Sequence, residues 1–243
     1  MADGRKGAKV YGLERIHGTI AHQLGIEIIA GNYPPGTILD DEITASARLE
    51  VSRTAYREAI RILSAKGILS SRPKVGTMIN PRHRWNHLDP DLLAWSFETT
   101  PDDDFINDLF ELRAVIEPAA AAFAAERRDK GQVARMQVAL QIMAKESLAT
   151  PAGQAADRDF HHVLLEATHN EAITSLASGI SAAVLWTSIF KQRGTAPLRD
   201  PIPSHLSVFE AIRDRKATAA RRAMVELIKL GLEDTKRSMR SST

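Results

Sequence analysis

The sequence predicts a mainly α-helical chain in two units, a small N-terminal unit ending in a β-hairpin and a larger all-α antiparallel bundle. Three observations carry that expectation. Apolar residues recur at three- and four-residue steps along most of the 243 residues. Two short strand-like runs flank a Pro-Lys-Val-Gly turn, and the stretch NPRHRWNHLDPD has two prolines and no helical period. An apolar content of 44% over this length can fill two cores. The absence of cysteine excludes disulfides and thiolate metal sites and fits a reducing cytoplasm. No run of 18 uncharged apolar residues occurs and the N-terminus has no apolar leader core, so neither a membrane span nor a secretory signal is expected.

In the first unit, Leu13, Ile16, Ile20, Leu24 and Ile28 form the stripe of an amphipathic helix that stops at Gly31, before NYPPG. Asp40 or Asp41 can cap a short second helix ending near Arg48. Ser52 can cap a third, whose stripe is Tyr56, Ile60 and Leu63. Lys66-Gly67 stops that helix, and ILSSR and GTMI then pair around residues 73–76. Three helices and a two-stranded wing make a winged helix-turn-helix over residues 1–80, with a linker at 81–90.

The net charge of +2 divides unevenly: residues 1–84 hold 13 Lys/Arg against 8 Asp/Glu, and the remainder holds 19 against 22. A basic first third points to a polyanionic partner there. Arg53, Arg57 and Arg61 lie off the apolar stripe of the third helix, four residues apart. In a helix-turn-helix the first turns of that helix enter the major groove of double-stranded DNA, where a guanidinium can bond guanine O6 and N7 or clamp a phosphate. Ser52, Arg53, Thr54, Arg57 and Arg61 are therefore the candidate contacts, with Lys74 and Gly76 of the wing. The plainer alternative is a solvated basic helix face.

The run Val51-Ser52-Arg53-Thr54, then Arg57-Glu58-Ala59, Leu63, Lys66-Gly67 and Gly76, preceded by GNYPPG, resembles the DNA-binding domain of the GntR family of bacterial regulators. Three positions depart from that family. It usually has arginine where this chain has Ile43, leucine where it has Ala45, and a turn glycine where it has Glu50.

From residue 91 to 243 the pattern is helical throughout, beginning with an acidic first turn and the stripe Phe105, Leu109, Leu112, Ile116. Further amphipathic stretches fall near 131–148, 153–168, 171–192, 204–214 and 217–238, which predicts six or seven helices. Within them, Asp157 and His161 are four apart on one helix face, and His205 starts another helix; together they could hold a divalent cation. An Asp-x-x-x-His pair can equally be a helix-surface ion pair. Read as chemistry, the same three residues would suit a metal-dependent hydrolase or lyase of small acids with His162 or Glu166 as acid or base. No nucleophile-base motif or phosphate loop accompanies them, and such an enzyme has no use for a winged helix.

Arg113, Asp157, Phe160, His161, Asn170 and His205 follow in order the pattern of the FCD ligand-binding domain, the bundle attached to GntR regulators of the FadR subfamily. The resemblance implies a metal held by one Asp and up to three His. The last of these falls at Leu227, which leaves three protein ligands for Zn²⁺, or for Ni²⁺ or Mn²⁺. The linker WNHLDPDLLAW is similar to those of regulators of sugar-acid catabolism. The likeness therefore implies a repressor that binds a near-palindromic operator as a homodimer and is released by a small carboxylate such as an aldonate. That effector would lie between the metal and Arg113, with Asn170, Ser178 and Trp186 as further contacts. Without the likeness, Arg113 reads as a partner of Glu117, four residues along the same helix.

Overall fold

The computed structural model describes residues 6–195 and 197–241, with side chains over 18–240 apart from Ala196. Two compact units divide the chain, Met1–Thr100 and Pro101–Thr243.

The first unit opens with α1 (Lys6–Ile29). Ile20 and Ile28 of its stripe are buried and Leu24 packs beside them, while the side chains of Leu13 and Ile16 lie outside the described residues. Asp41 accepts from the amides of Ile43 (2.9 Å) and Thr44 (3.0 Å) to start α2 (Glu42–Arg48). Ser52 Oγ accepts from Ala55 N at 3.1 Å to start α3 (Arg53–Ala65). Each cap satisfies amides that the first helical turn leaves without partners. Strands β1 (Leu69–Arg72) and β2 (Gly76–Ile79) pair antiparallel, from Leu69 opposite Ile79 to Arg72 opposite Gly76. The segment after NYPPG also joins this hairpin: Ile38 bridges Met78, and Leu39 N donates to Thr77 O at 2.8 Å. The wing is thereby held along β2 as well as by its own turn.

Residues 80–91 fold onto this unit. Trp85 is buried and its Nε1 donates to Asn80 O at 2.9 Å. The ammonium of Lys66, at the end of α3, donates to Asp89 and Asp91 at 2.7 Å each. Burial alone would lower the Lys66 pKa, but the two carboxylates outweigh it and raise the value. Helix α4 (Pro90–Glu98), capped by Asp89, lies against α1. Its Trp95 ring fits over Gly25, where a Cβ would stand 2.6 Å from ring carbons. The sequence pattern puts the start of the second domain at 91. By compactness, α4 instead belongs with the winged helix, because the Lys66 ion pairs and the Trp95 contact tie it there, and the division falls after Thr100.

The second unit contains α5 (Asp103–Arg127), α6 (Lys130–Glu146), α7 (Pro151–Glu166), the single turn α8 (Glu171–Thr174), α9 (Ala177–Lys191), α10 (Ile202–Arg213) and α11 (Ala217–Ser241). Asp102, Thr150 and Asn170 cap α5, α7 and α8, and Asp129 with Gln132 forms a capping box on α6. Helix α5 lies against α11, and α7 lies between α6 and α9. An 18-residue window within Glu171–Lys191 has a mean hydropathy of 1.5, and 56% of it is buried inside the protein, which suits a core helix of a bundle.

Candidate nucleic-acid interface and metal centre

In the winged unit, Ser52, Arg53, Thr54, Arg57, Arg61, Lys74 and Gly76 are all exposed. Arg53 and Thr54 occupy the first turn of α3, directly after the Ser52 cap. Arg57 is held from one side. Its Nε and Nη2 donate to the two carboxylate oxygens of Glu42 on α2, at 3.0 and 2.8 Å. This bidentate grip uses one edge of the guanidinium and leaves the other edge available to a base or a phosphate. Arg61 pairs with Glu58 at 3.1 Å, an exposed contact of little energetic weight. The wing turn carries positive φ at Lys74 (64°) and Gly76 (102°), and a Cβ on Gly76 would crowd Ile38 at 3.3 Å. Of the three family departures, Ala45 is buried, Ile43 is 65% exposed on α2, and Glu50 points to solvent with φ +53°. Glu50 thus holds a left-handed turn position that favours glycine.

The second unit brings Asp157, His161 and His205 together. One ligand atom from each lies within 4.8 Å of the others, and all three residues are buried. The helical spacing of Asp157 and His161 aims both from α7, and α10 supplies His205. Each imidazole is oriented by its other nitrogen. His205 Nδ1 donates to Pro201 O at 2.8 Å, and His161 Nδ1 bonds the carboxylate of Glu117. The Nε2 atoms then face Asp157 Oδ1, at 3.0 Å for His205 and 3.7 Å for His161. A carboxylate oxygen and an imidazole lone pair are both acceptors, so a cation must lie between them: either a proton on the ring or a metal ion. The orienting partners, a backbone carbonyl and a carboxylate, are those that metal-binding histidines characteristically have. The donor set therefore fits a divalent ion.

Around this triad the charges balance. Glu117, fully buried, accepts from Arg113 Nε at 2.6 Å, and the Arg113 guanidinium also lies 5.0 Å from the Phe110 ring centre. Burial would raise the Glu117 pKa, but Arg113 and His161 outweigh it and hold the value at about 2. For Asp157 burial acts the same way and is likewise overcome, by His205, His161 and Lys191, so its pKa falls well below the usual carboxylate range. Ser188 Oγ donates to Asp157 Oδ2 at 2.6 Å.

A cavity of about 60 Å³ adjoins the triad. Arg113, Asp157, His161 and His205 are on its wall, as is Leu227, where the family pattern has its last histidine. Of the other expected effector contacts, Asn170 spends its side chain capping α8, Ser178 is exposed on α9, and Trp186 is part-buried; none of the three is on the wall. Helix α9 contributes Thr187, Ser188 and Lys191 instead, and the loop and α11 add Arg199 and Asp234. Arg113 pairs with Glu117 and also lines the cavity.

Comparison with known proteins agrees with both halves. Residues 17–79 match the family described as bacterial regulatory proteins, gntR family, and residues 108–230 match the FCD domain. The chain is 32% identical over 208 residues to the galactonate operon transcriptional repressor of Escherichia coli, covering 84% of this chain and 90% of the relative. It is 31% identical over 157 residues to the transcriptional regulator LutR of Bacillus subtilis, covering 65% and 70%. Among solved structures, Lar, described as controlling the Listeria monocytogenes agr system, superposes with a TM-score of 0.63 at 20% identity over 91% of this chain and 96% of that one, a likeness of fold. These relatives are regulators, and the hydrolase or lyase reading is not favoured. This chain is a member of the GntR family of bacterial transcription regulators, with a gntR-type DNA-binding domain followed by an FCD domain.

Proposed function

We propose that the protein is a cytoplasmic repressor of a sugar-acid catabolic operon, released from DNA by a small hydroxycarboxylate such as galactonate or a related aldonate. The observation that carries this reading is the shared cavity, where a buried guanidinium and a candidate metal site line the same small space. Arg113 offers donors for the effector carboxylate. Asp157, His161 and His205 would hold Zn²⁺, which two imidazoles and a carboxylate suit, with Ni²⁺ or Mn²⁺ as alternatives. Because Leu227 supplies no fourth donor, a bound ion keeps positions free for effector oxygens, and a Lewis acid there would strengthen carboxylate binding. The 32% identity to a galactonate operon repressor supports the choice of effector class.

On DNA, Arg53 and Arg57 read base edges or phosphates, with Ser52, Thr54, Arg61, Lys74 and Gly76 around them. One winged helix reads only a few base pairs, so a homodimer on a near-palindromic operator is the matching arrangement. Release requires the effector to couple to the DNA-binding unit by about 1 to 3 kcal/mol.

The test is calorimetry of galactonate and gluconate against zinc-loaded wild type and Arg113→Ala, with operator retention followed in parallel and the mass in solution recorded. The proposal expects a dimer, micromolar to millimolar binding lost in Arg113→Ala, and operator release on the same concentration scale. Aldonates that neither bind nor alter operator affinity would remove the effector class, and a monomer with and without DNA would remove the dimer.

A further inference from the structure

The cavity holds two charged groups that neither the metal site nor the carboxylate clamp uses. Lys191 is the last residue of α9, part-buried, and lies on the cavity wall. Asp234, on α11, is 8% exposed, and its Oδ1 is buried without a hydrogen bond. Two cations stand near that oxygen, Arg199 Nε at 3.3 Å and Arg237 Nη1 at 3.8 Å, but neither is aligned to donate to it. Arg199 is turned toward Glu233 as well, which it grips through Nη2 at 2.5 Å. Lys191 and Asp234 line the same cavity as Asp157, so the amine and the orphaned oxygen share one space with the candidate metal site.

A buried acceptor without a donor is costly to leave unmatched, and a part-buried amine on the same cavity wall can donate to whatever fills it. What satisfies both is a ligand group that donates and accepts together, and a hydroxyl is the neutral group that does so. A second carboxylate would suit Lys191 but would set like charges together at Asp234. A methyl end would leave both protein groups unmade. We propose that Asp234 and Lys191 read hydroxyls on the effector carbons beyond the carboxylate head, so that the cavity selects polyhydroxy acids against both simple 2-hydroxy acids and dicarboxylates. This rests on the proposed effector class and deepens it: Arg113 and the metal take the head, and Asp234 with Lys191 take the hydroxylated chain.

The experiment compares galactonate, lactate and malate by calorimetry on the zinc-loaded full chain, for wild type, Asp234→Asn and Lys191→Met, with zinc content measured for each protein. The three acids share a 2-hydroxycarboxylate head and differ in the group it carries: a hydroxylated chain, a methyl or a second carboxylate arm. Wild type is expected to bind galactonate about tenfold or more tighter than lactate or malate, the factor that one net hydrogen bond of about 1.4 kcal/mol supplies. Both variants should lower the galactonate-to-lactate ratio toward unity. Asp234→Asn should also tighten malate, a gain that misfolding cannot imitate. Variants that weaken all three acids by one common factor at full zinc content, or a wild type that holds malate as tightly as galactonate, would overturn the assignment while leaving the carboxylate site standing. Failure of all three acids to bind wild type overturns the effector reading and this inference with it.

Discussion

Glu117→Gln tests the electrostatic centre of the helical unit most directly. Glu117 is 0% exposed, accepts from Arg113 Nε at 2.6 Å and orients His161 through its Nδ1. Glutamine keeps the shape and removes the charge, so the Arg113 guanidinium, 7% exposed in its side chain, loses its counter-ion. Breaking a buried pair in this way costs about 3 to 5 kcal/mol. Linkage gives a similar size: a carboxyl held at about 2 rather than 4.5 contributes roughly 3 kcal/mol. The sign comes from the depressed pKa. This stability is fully present above about pH 4.5 and is lost as the pH falls toward 2. Urea unfolding of chelator-treated protein should therefore separate wild type from Glu117→Gln by about 3 kcal/mol near pH 6 and by clearly less near pH 3. His161 also loses its orienting carboxylate, so zinc affinity in an indicator competition should fall about 10- to 100-fold. A gap under about 1 kcal/mol near pH 6, or one that does not change with pH, would refute the reasoning.

The winged unit yields three further expected outcomes. Arg53→Ala and Arg57→Ala should each weaken operator binding by about 1 to 3 kcal/mol in mobility shifts, with a shallower salt dependence where the lost contact is a phosphate. Unchanged operator affinity in both would remove α3 from the interface. Glu50→Gly relieves a non-glycine residue at φ +53° and should raise the unfolding free energy by about 1 kcal/mol, while removing a negative charge from the turn before α3 and tightening DNA binding. A variant less stable than wild type would show that the turn carries no strain. Lys66→Met removes the counter-ion of the largely buried Asp89, 2.7 Å from the lost ammonium, while the exposed Asp91 is taken up by water, and should cost about 1 to 3 kcal/mol in thermal or urea melts. A neutral result would mean that the latch between α3 and α4 contributes nothing.

Features set within a few residues are legible in the sequence. Ser52 and Asp41 cap their helices because a cap needs only the amides two or three positions ahead. Asp157 and His161 share a face because four residues make one turn. The contacts that complete each site are set by packing, and no period announces them. Glu42 reaches Arg57 across 15 residues, Glu117 reaches His161 across 44, and Lys66 reaches Asp91 across 25. The linker boundary is hidden for the same reason, since NPRHRWNHLDPD lacks periodicity in sequence yet folds onto Lys66 at the end of α3 through Asn86 and Asp89.

Helix α9 shows where periodicity fails even locally. Phase can be read from a helix only when one face is polar, and α9 is apolar nearly all round, with residues from Ala177 to Phe190 buried on several sides. Its few polar side chains therefore give no indication of which of them faces inward. Ser178 and Trp186 are natural choices by residue type, but at about 100° per residue Ser178 lies half a turn away from Thr187. The packing of α9 against α7 fixes the phase: it turns Thr187, Ser188 and Lys191 toward Asp157 and leaves Ser178 in solvent. A polar position on α9 can thus come to face a buried site without any change in its own sequence pattern, because the neighbouring carboxylate of Asp157 decides which of its polar groups has a partner.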